Sequence, residues 1–395
     1  MHPVLYLGLA TACLHFVAVI AIDKFQRWRE LRAFARKHQC QPARYENVWD
    51  LLGLYKVISA ARHVIQGTAL LDATRSFETL GDTYTSKLLN TRVFFTCHPR
   101  NMRQVLVTNF ADFDSSRGIR DHLFRPITAH GIFALDGPGW KAARGLYRDL
   151  FSHTRNIFNT ELQEECFQNL LARIPVGKPF DIQPLFLCLM LDLTTAFAMG
   201  ESVDSLRLDQ APHKKEFVKS LMHVKEIIAR DGFLGPVHVF LSKKKFHASC
   251  ASVHAYVERV VRTRLEARRN LLQPDKAGKL RLPAASGRVV ADVPPRECLL
   301  DGLLESSEDI EKLRDGVITI LIAGIDSVAS LLSTTFFLLA RHERVMDKLR
   351  DDILEKIGQD PPNYDTLRSL TYLRQTFNES KSPNVPLNSF FFPAT

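Results

Sequence analysis

One stretch restricts the possible folds of this chain more than any other. Residues 316 to 340 read GVITILIAGIDSVASLLSTTFFLLA, and Asp326 is the single formal charge among them. As a helix this run is about 38 Å long at 1.5 Å per residue. A helix that is apolar all round is buried, either in a large protein or in a membrane. A carboxylate at mid-bilayer costs about 2.5–3.5 kcal/mol. The run also carries Ser327, Ser330, Ser333, Thr334 and Thr335, and no basic cluster flanks it. The pattern therefore predicts a central helix of a large soluble core, with its midpoint facing a cavity. Ser306, followed three residues later by Asp309, offers a helix-start signature. At the midpoint, Ala323 and Gly324 are small enough to let something large approach the backbone. Asp326 and Ser327 add a carboxylate and a hydroxyl at the same spot, a pair suited to delivering protons.

A helix of that kind needs a body to bury it. The 395 residues are 46% hydrophobic and 24% charged, the balance of a folded globular protein. Twenty-six Phe against eight Tyr suits a large helical core, with or without an apolar ligand inside it. Helical periodicity covers residues 160–200, 211–230 and 249–271. TRVFFTCH at 91–98 is strand-like, and the residues after it are spaced for a short helix. Gly235-Pro236 breaks the pattern, and the Pro- and Gly-bearing stretch 273–298 reads as an exposed connection. The expected fold is mainly α with a small β component, without a second globular domain.

Pro3 to Ile22 form 20 residues without a formal charge, long enough to cross a bilayer core. Lys24, Arg27, Arg29, Arg32, Arg36 and Lys37 follow, against Asp23 and Glu30. The positive-inside rule then keeps the body in the cytosol. Residues 1–23 are expected to be a membrane signal anchor, and residues 24–70 a basic flank and lead-in. The net charge of +9 comes with no nucleic-acid-binding signature, so a membrane surface is the expected partner and nucleic acid is not. The seven cysteines are odd in number, scattered and free of any C-x-x-C, which argues against a disulfide framework or a zinc site. Such a set suits a reducing compartment, and no metal-ligating cluster is predicted from it.

The segment AGIDSVASLLSTTFFLLARHERVMDKLRDDI (323–353) resembles the central helix of cytochrome P450 monooxygenases and the helix after it. The family pattern is Ala/Gly-Gly-x-Asp/Glu-Thr. Ala323, Gly324 and Asp326 match it, and Ser327 stands in the place of Thr. GIFALDGPGWKAAR (131–144) is similar to the family's Trp-x-x-x-Arg helix, with Trp140 and Arg144 one turn apart on a single face. YDTLRSLTYLRQTFNES (364–380) resembles the approach to the family's Glu-x-x-Arg motif, and residues 31–54 and 233–265 look like the fungal branch that hydroxylates n-alkanes and fatty acids. This resemblance assigns residues 71–380 to a cytochrome P450 domain. Two departures accompany it. Glu379 is followed by Ser380, Lys381 and Ser382, so the Arg is missing, and residues 381–395 read as an aberrant tail. No cysteine in the chain sits in the Phe-x-x-Gly-x-x-x-Cys-x-Gly loop that supplies the family's haem ligand.

By resemblance, haem is the expected cofactor, with electrons from NADPH passing through a membrane-bound reductase. Trp140 and Arg144 then hold the haem propionates, and Ala323 and Gly324 lie against the haem. Asp326 and Ser327 deliver protons, while Ile322 and Ile325 line the substrate side. An apolar small molecule is the expected substrate: a fatty acid, an alkane or a fungal secondary metabolite. The expected location is the endoplasmic reticulum membrane, single-pass, with the body cytosolic. Because the cysteine loop is lacking, the chain as written is expected to be inactive. Two alternatives stay open, a non-enzymatic membrane-anchored remnant or binding protein, and a mis-spliced reading of an active enzyme's gene.

Overall fold

The computed structural model describes residues 28–47, 52–88, 91–114, 119–152, 160–234, 241–272, 298–358 and 362–381, together with positions 15, 22, 25, 26, 49 and 50. The expected anchor at 1–23 and tail at 381–395 therefore fall almost wholly outside the described residues, as does most of the 273–298 connection. The chain divides into two compact units. Met1–Lys56 with Thr74–Met102 form the first, and Val57–Ala73 with Arg103–Thr395 form the second.

The first unit holds the β component. Its strands are β1 (Arg44–Tyr45), β2 (Thr83–Leu88) and β3 (Thr91–Thr96); between β1 and β2 the chain forms helix α1 (Leu54–Ile65), most of which belongs to the second unit, and helix α2 (Ala69–Leu80), which belongs to the first from Thr74 on. The strands form a sheet of order β1-β2-β3, with β1 parallel to β2 and β2 antiparallel to β3. Tyr84 is its buried centre, stacked on Phe95 at 5.0 Å and meeting Phe77 edge-on at 5.2 Å. The strand expected at 91–98 is β3. Helix α3 (Pro99–Arg103) begins directly after it, and the chain then widens into a π-helical turn at Gln104–Thr108 and tightens into a 3-10 turn at Phe110–Asp112.

The second unit is helical. Besides most of α1 and the start of α2, its helices are α4 (Ile119–Thr128), α5 (Gly137–Ser152), α6 (Thr160–Leu171), α7 (Gln183–Met199), α8 (Pro212–Leu234), α9 (Lys244–Leu272), α10 (Leu299–Leu304), α11 (Ile310–Leu339), α12 (Glu343–Lys356), α13 (Tyr364–Ser369) and α14 (Thr371–Ser380). Two of these, α7 and α11, are apolar on nearly every face, and they pack along each other at the centre. Around them α4, α9, α10 and α14 lie against α11, while α8 packs on α9 and α4. One continuous core joins Leu191 and Met199 of α7, Phe217 and Leu221 of α8, Val253 and Val257 of α9, and Val317, Ile318, Leu321 and Ile325 of α11.

The start of α11 differs from the sequence expectation. Its N-cap is Asp309 and not Ser306. The Asp309 carboxylate accepts the backbone N–H groups of Glu311 at 3.1 Å and Lys312 at 3.3 Å. Ser306 is already committed, since its N–H donates to the Leu303 carbonyl at the close of α10. Helix α11 is long and apolar enough to cross a membrane, and the helices packed around it make it the centre of this unit.

Candidate active site

Within α11 the two expected acid–hydroxyl neighbours are placed differently. Ser327 is exposed, and its hydroxyl donates to the Ala323 carbonyl one turn back at 3.0 Å. The Asp326 side chain is 43% exposed and accepts a hydrogen bond from Lys225 Nζ of α8 at 2.6 Å. The Lys225 side chain is only 9% exposed, so this ion pair has one dry end and one open end. Burial pulls the Lys225 pKa below the ordinary lysine value, and Asp326 acts against that pull. The sequence reading did not include Lys225. Its one visible signal was a lysine within the otherwise apolar spacing of α8, which does not reveal its partner.

The small residues beside the acid also separate. Ala323 is exposed on the same side as Ser327. Gly324 points the other way, toward α7. A Cβ placed there would lie 2.9 Å from the Thr194 methyl carbon and 3.3 Å from its hydroxyl oxygen. The large neighbour that Gly324 admits is thus another helix. Ile325 is fully buried in the core, and Ile322 is half-buried at its edge. Of the two, Ile322 is the one with open surface.

Trp140 and Arg144 sit on α5 as their spacing requires. The guanidinium carbon lies 5.6 Å from the centre of the Trp140 ring, in a cation–π arrangement. Phe110 covers Trp140 from another side at 5.3 Å, and Arg144 itself is exposed. One contact fixes α5 to α11. The Tyr147 hydroxyl donates to the Gly316 carbonyl at 3.4 Å, and burial pushes its own pKa up to about 12. Just after α4, the His130 backbone N–H donates to Asp315 at 2.9 Å, and its ring Nδ1 lies 3.1 Å from the same oxygen.

Asp315 is 0% exposed and is the second carboxylate of this neighbourhood. Arg314 donates to it at 2.9 Å through Nε and holds Glu258 of α9 at 2.7 Å through Nη1. The charge is therefore buried, paired and hydrogen-bonded, the condition under which burial is tolerated. This network ties α9, α11 and the turn after α4 together, while in the same unit Arg144, Ala323 and Ser327 are exposed and Trp140 is half-buried.

Glu379 lies at the end of α14, on the wall of a cavity of about 560 Å3 that Leu338, His342, Tyr372 and Thr376 also line. Among the described residues no group of three or more His, Cys, Asp or Glu side chains is placed to hold a metal ion. The described cysteines are all free thiols. Burial pushes Cys166, Cys250 and Cys298 each up to about 12 and raises Cys188 as well.

A family model described as cytochrome P450 matches residues 58–386 of this chain. A cytochrome P450 monooxygenase of Fusarium heterosporum is 30% identical over 364 residues, which cover 91% of this chain and 62% of the relative. Cytochrome P450 52A12 of Debaryomyces hansenii is 29% identical over 356 residues, covering 85% of this chain and 65% of the relative. Cytochrome P450 52A9 of Candida maltosa is 32% identical over 325 residues, covering 78% and 58%. The chain thus spans roughly 60% of the length of these curated relatives.

Proposed function

This chain belongs to the cytochrome P450 family, and from that premise we propose that it carries the oxygen-side helix and the propionate-side helix of a fungal monooxygenase that hydroxylates an apolar substrate. The observation that carries this reading is the shared core of α5 and α11, with half-buried Trp140 and exposed Arg144 on one helix and half-exposed Asp326 and exposed Ser327 on the other. The fungal 52A relatives and the resemblance of residues 31–54 and 233–265 favour a fatty acyl or alkane substrate.

Haem is the cofactor that the family implies, and the residues fit it in part. Trp140 offers an indole N–H, and the exposed Arg144 offers a planar guanidinium suited to carboxylates. Exposed Ala323 leaves one side of α11 free of bulk. The axial ligand does not fit. Haem held by thiolate supplies dioxygen activation in this family, whereas burial raises the pKa of Cys166, Cys188, Cys250 and Cys298, and Cys40 and Cys97 lie exposed outside any matching loop. Within this scheme the chain's own residues have four tasks. Trp140 and Arg144 donate to propionate oxygens, Asp326 holds a proton or releases it, Ser327 passes it along the Ala323 face, and Ile322 meets the substrate.

The 395 residues by themselves are expected to give no thiolate-type absorption in the reduced, carbon-monoxide-bound state. A peak at the thiolate position in membranes holding this chain would overturn that expectation. The reaction itself is tested by supplying a medium-chain fatty acid, NADPH, a reductase and isotopically labelled dioxygen. Label should enter an alcohol when the family's cysteine loop is joined to this chain, and no alcohol under those conditions would remove the monooxygenase reading. Residues 1–23 are proposed to anchor the chain in the endoplasmic reticulum membrane, with the body in the cytosol beside its reductase. Protease added to sealed microsomes should then digest residues 38–395, and their full protection would reverse the orientation.

A further inference from the structure

The end of α11, the start of α12 and helix α14 meet pairwise, and the cavity of about 560 Å3 lies where they converge. Its depth is apolar. Leu339 is buried there, and Leu338, Val345 and Tyr372 are half-buried. Lys348 of α12 lies 4.5 Å from the centre of the Tyr372 ring and holds that wall in place. Two buried hydroxyls of α14 also line it, and both commit their hydrogens to their own helix. Thr376 donates to the Tyr372 carbonyl at 3.0 Å, and Ser380 to the Thr376 carbonyl at 2.8 Å. His342, Gln375 and Glu379 are exposed and form the rim. Such a site, apolar within and polar at its edge, selects for apolar bulk.

We propose that this cavity is the docking site for the chain's own residues 382–395, which lie outside the described residues, with the Phe390–Phe392 side chains as the group that fills it. Three observations favour this occupant over a separate molecule. The segment SPNVPLNSFFFPAT carries no formal charge, and Val385, Leu387 and three consecutive Phe give it apolar bulk without a helical or strand period. It starts at the cavity itself, since Glu379 and Ser380 are wall residues and Lys381 is the C-cap of α14. Pro383 lacks the N–H that would continue α14, so the chain has to leave the helix axis beside the opening. From Lys381 the extended backbone carries Phe390 up to about 30 Å, ample to return to a site that begins one residue away. Docking then removes the phenylalanines and the Leu338–Val345 wall from water together.

Amide hydrogen exchange on the full chain in lipid nanodiscs tests this without haem or turnover. Phe390→Ser, Phe391→Ser and Phe392→Ser together should speed exchange in residues 338–346 and 371–380 by about tenfold, while α7 and α9 keep parent rates. A second measurement reads the tail. Val345→Trp fills the cavity from its wall and should displace the segment. The thiol introduced by Ser389→Cys, followed on its own peptide, should then react with a charged maleimide about tenfold faster than it does with Val345 in place. Parent-like exchange in the triple serine variant would overturn the proposal and leave the cavity to another occupant. So would a thiol that reacts equally with and without Val345→Trp. Protection of residues 371–380 that fades on dilution of the chain would also overturn it, by assigning the site to the tail of a second copy.

Discussion

The two halves of α11 are almost equally apolar, yet they sit in opposite surroundings. From Leu313 to Leu321 every residue except Arg314 is buried, and the carboxylate there, Asp315, is enclosed by Arg314 and His130. From Ala323 onward one side faces outward, with Val328 39% and Phe337 50% exposed. Its carboxylate, Asp326, is held from one direction by Lys225. The first half is a place where a charge is made safe by complete pairing. The second is a place where a charge is paired on one side and open on the other.

The largest expected contrast lies between the two carboxylates. Asp315→Leu takes away one of Arg314's two carboxylate partners and the acceptor of the His130 N–H, and should cost about 3–5 kcal/mol in urea unfolding of the full chain. Asp326→Leu should cost less, about 1–2 kcal/mol, because solvent can reach part of the exposed site. Equal losses at the two positions would end the distinction between the halves.

Truncations of the same helix sharpen it. Leu321→Ala leaves a hole in the shared core and should lose about 2–5 kcal/mol, whereas Val328→Ala should stay within about 0.5 kcal/mol. A large loss at Val328 in urea unfolding would mean that the outward face is covered. Gly324→Val probes the seam between the halves. The added bulk meets Thr194 and should cost about 1–3 kcal/mol by the same measurement. Thr194→Ala in the same chain should return most of that loss. If it does not, Gly324 serves something other than the approach of α7.

The smallest effect concerns pH. His254 of α9 donates Nε2–H to the Ile127 carbonyl at 2.9 Å, near Arg314, Asp315 and Glu258. Burial lowers its pKa below the ordinary histidine value of 6.5, so the unfolded chain binds the extra proton first. Its contribution is complete above about pH 6.5 and declines as pH falls through that value toward the lowered one. His254→Gln should flatten the fall of the unfolding midpoint between about pH 6.5 and 5 relative to the parent. An unchanged slope would assign the fall to other groups.

Much of the architecture was legible in the order of the residues. The apolar run at 316–340 marked the central helix, the i,i+4 spacing of Trp140 and Arg144 put both on one face, and the β-branched stretch at 91–96 marked β3. The N-cap was misplaced by three residues. A serine and an aspartate each satisfy the capping pattern, and what decided between them was that Ser306 already closes α10. Lys225 was not legible as a site residue. Its link to Asp326 spans 101 positions, and a lysine in α8 has the same sequence signature whether it points to water or to a carboxylate.

Sequence alone determined the helical class, the family and the identity of the groups available for chemistry, because periodicity and motif spacing are local properties of a chain. Which half of α11 is sealed and which is open, what fills the space that Gly324 leaves, and which charge answers Asp326 were decided by the tertiary structure. Those outcomes depend on segments that approach from more than a hundred residues away, and burial and pairing exist only once those segments have packed.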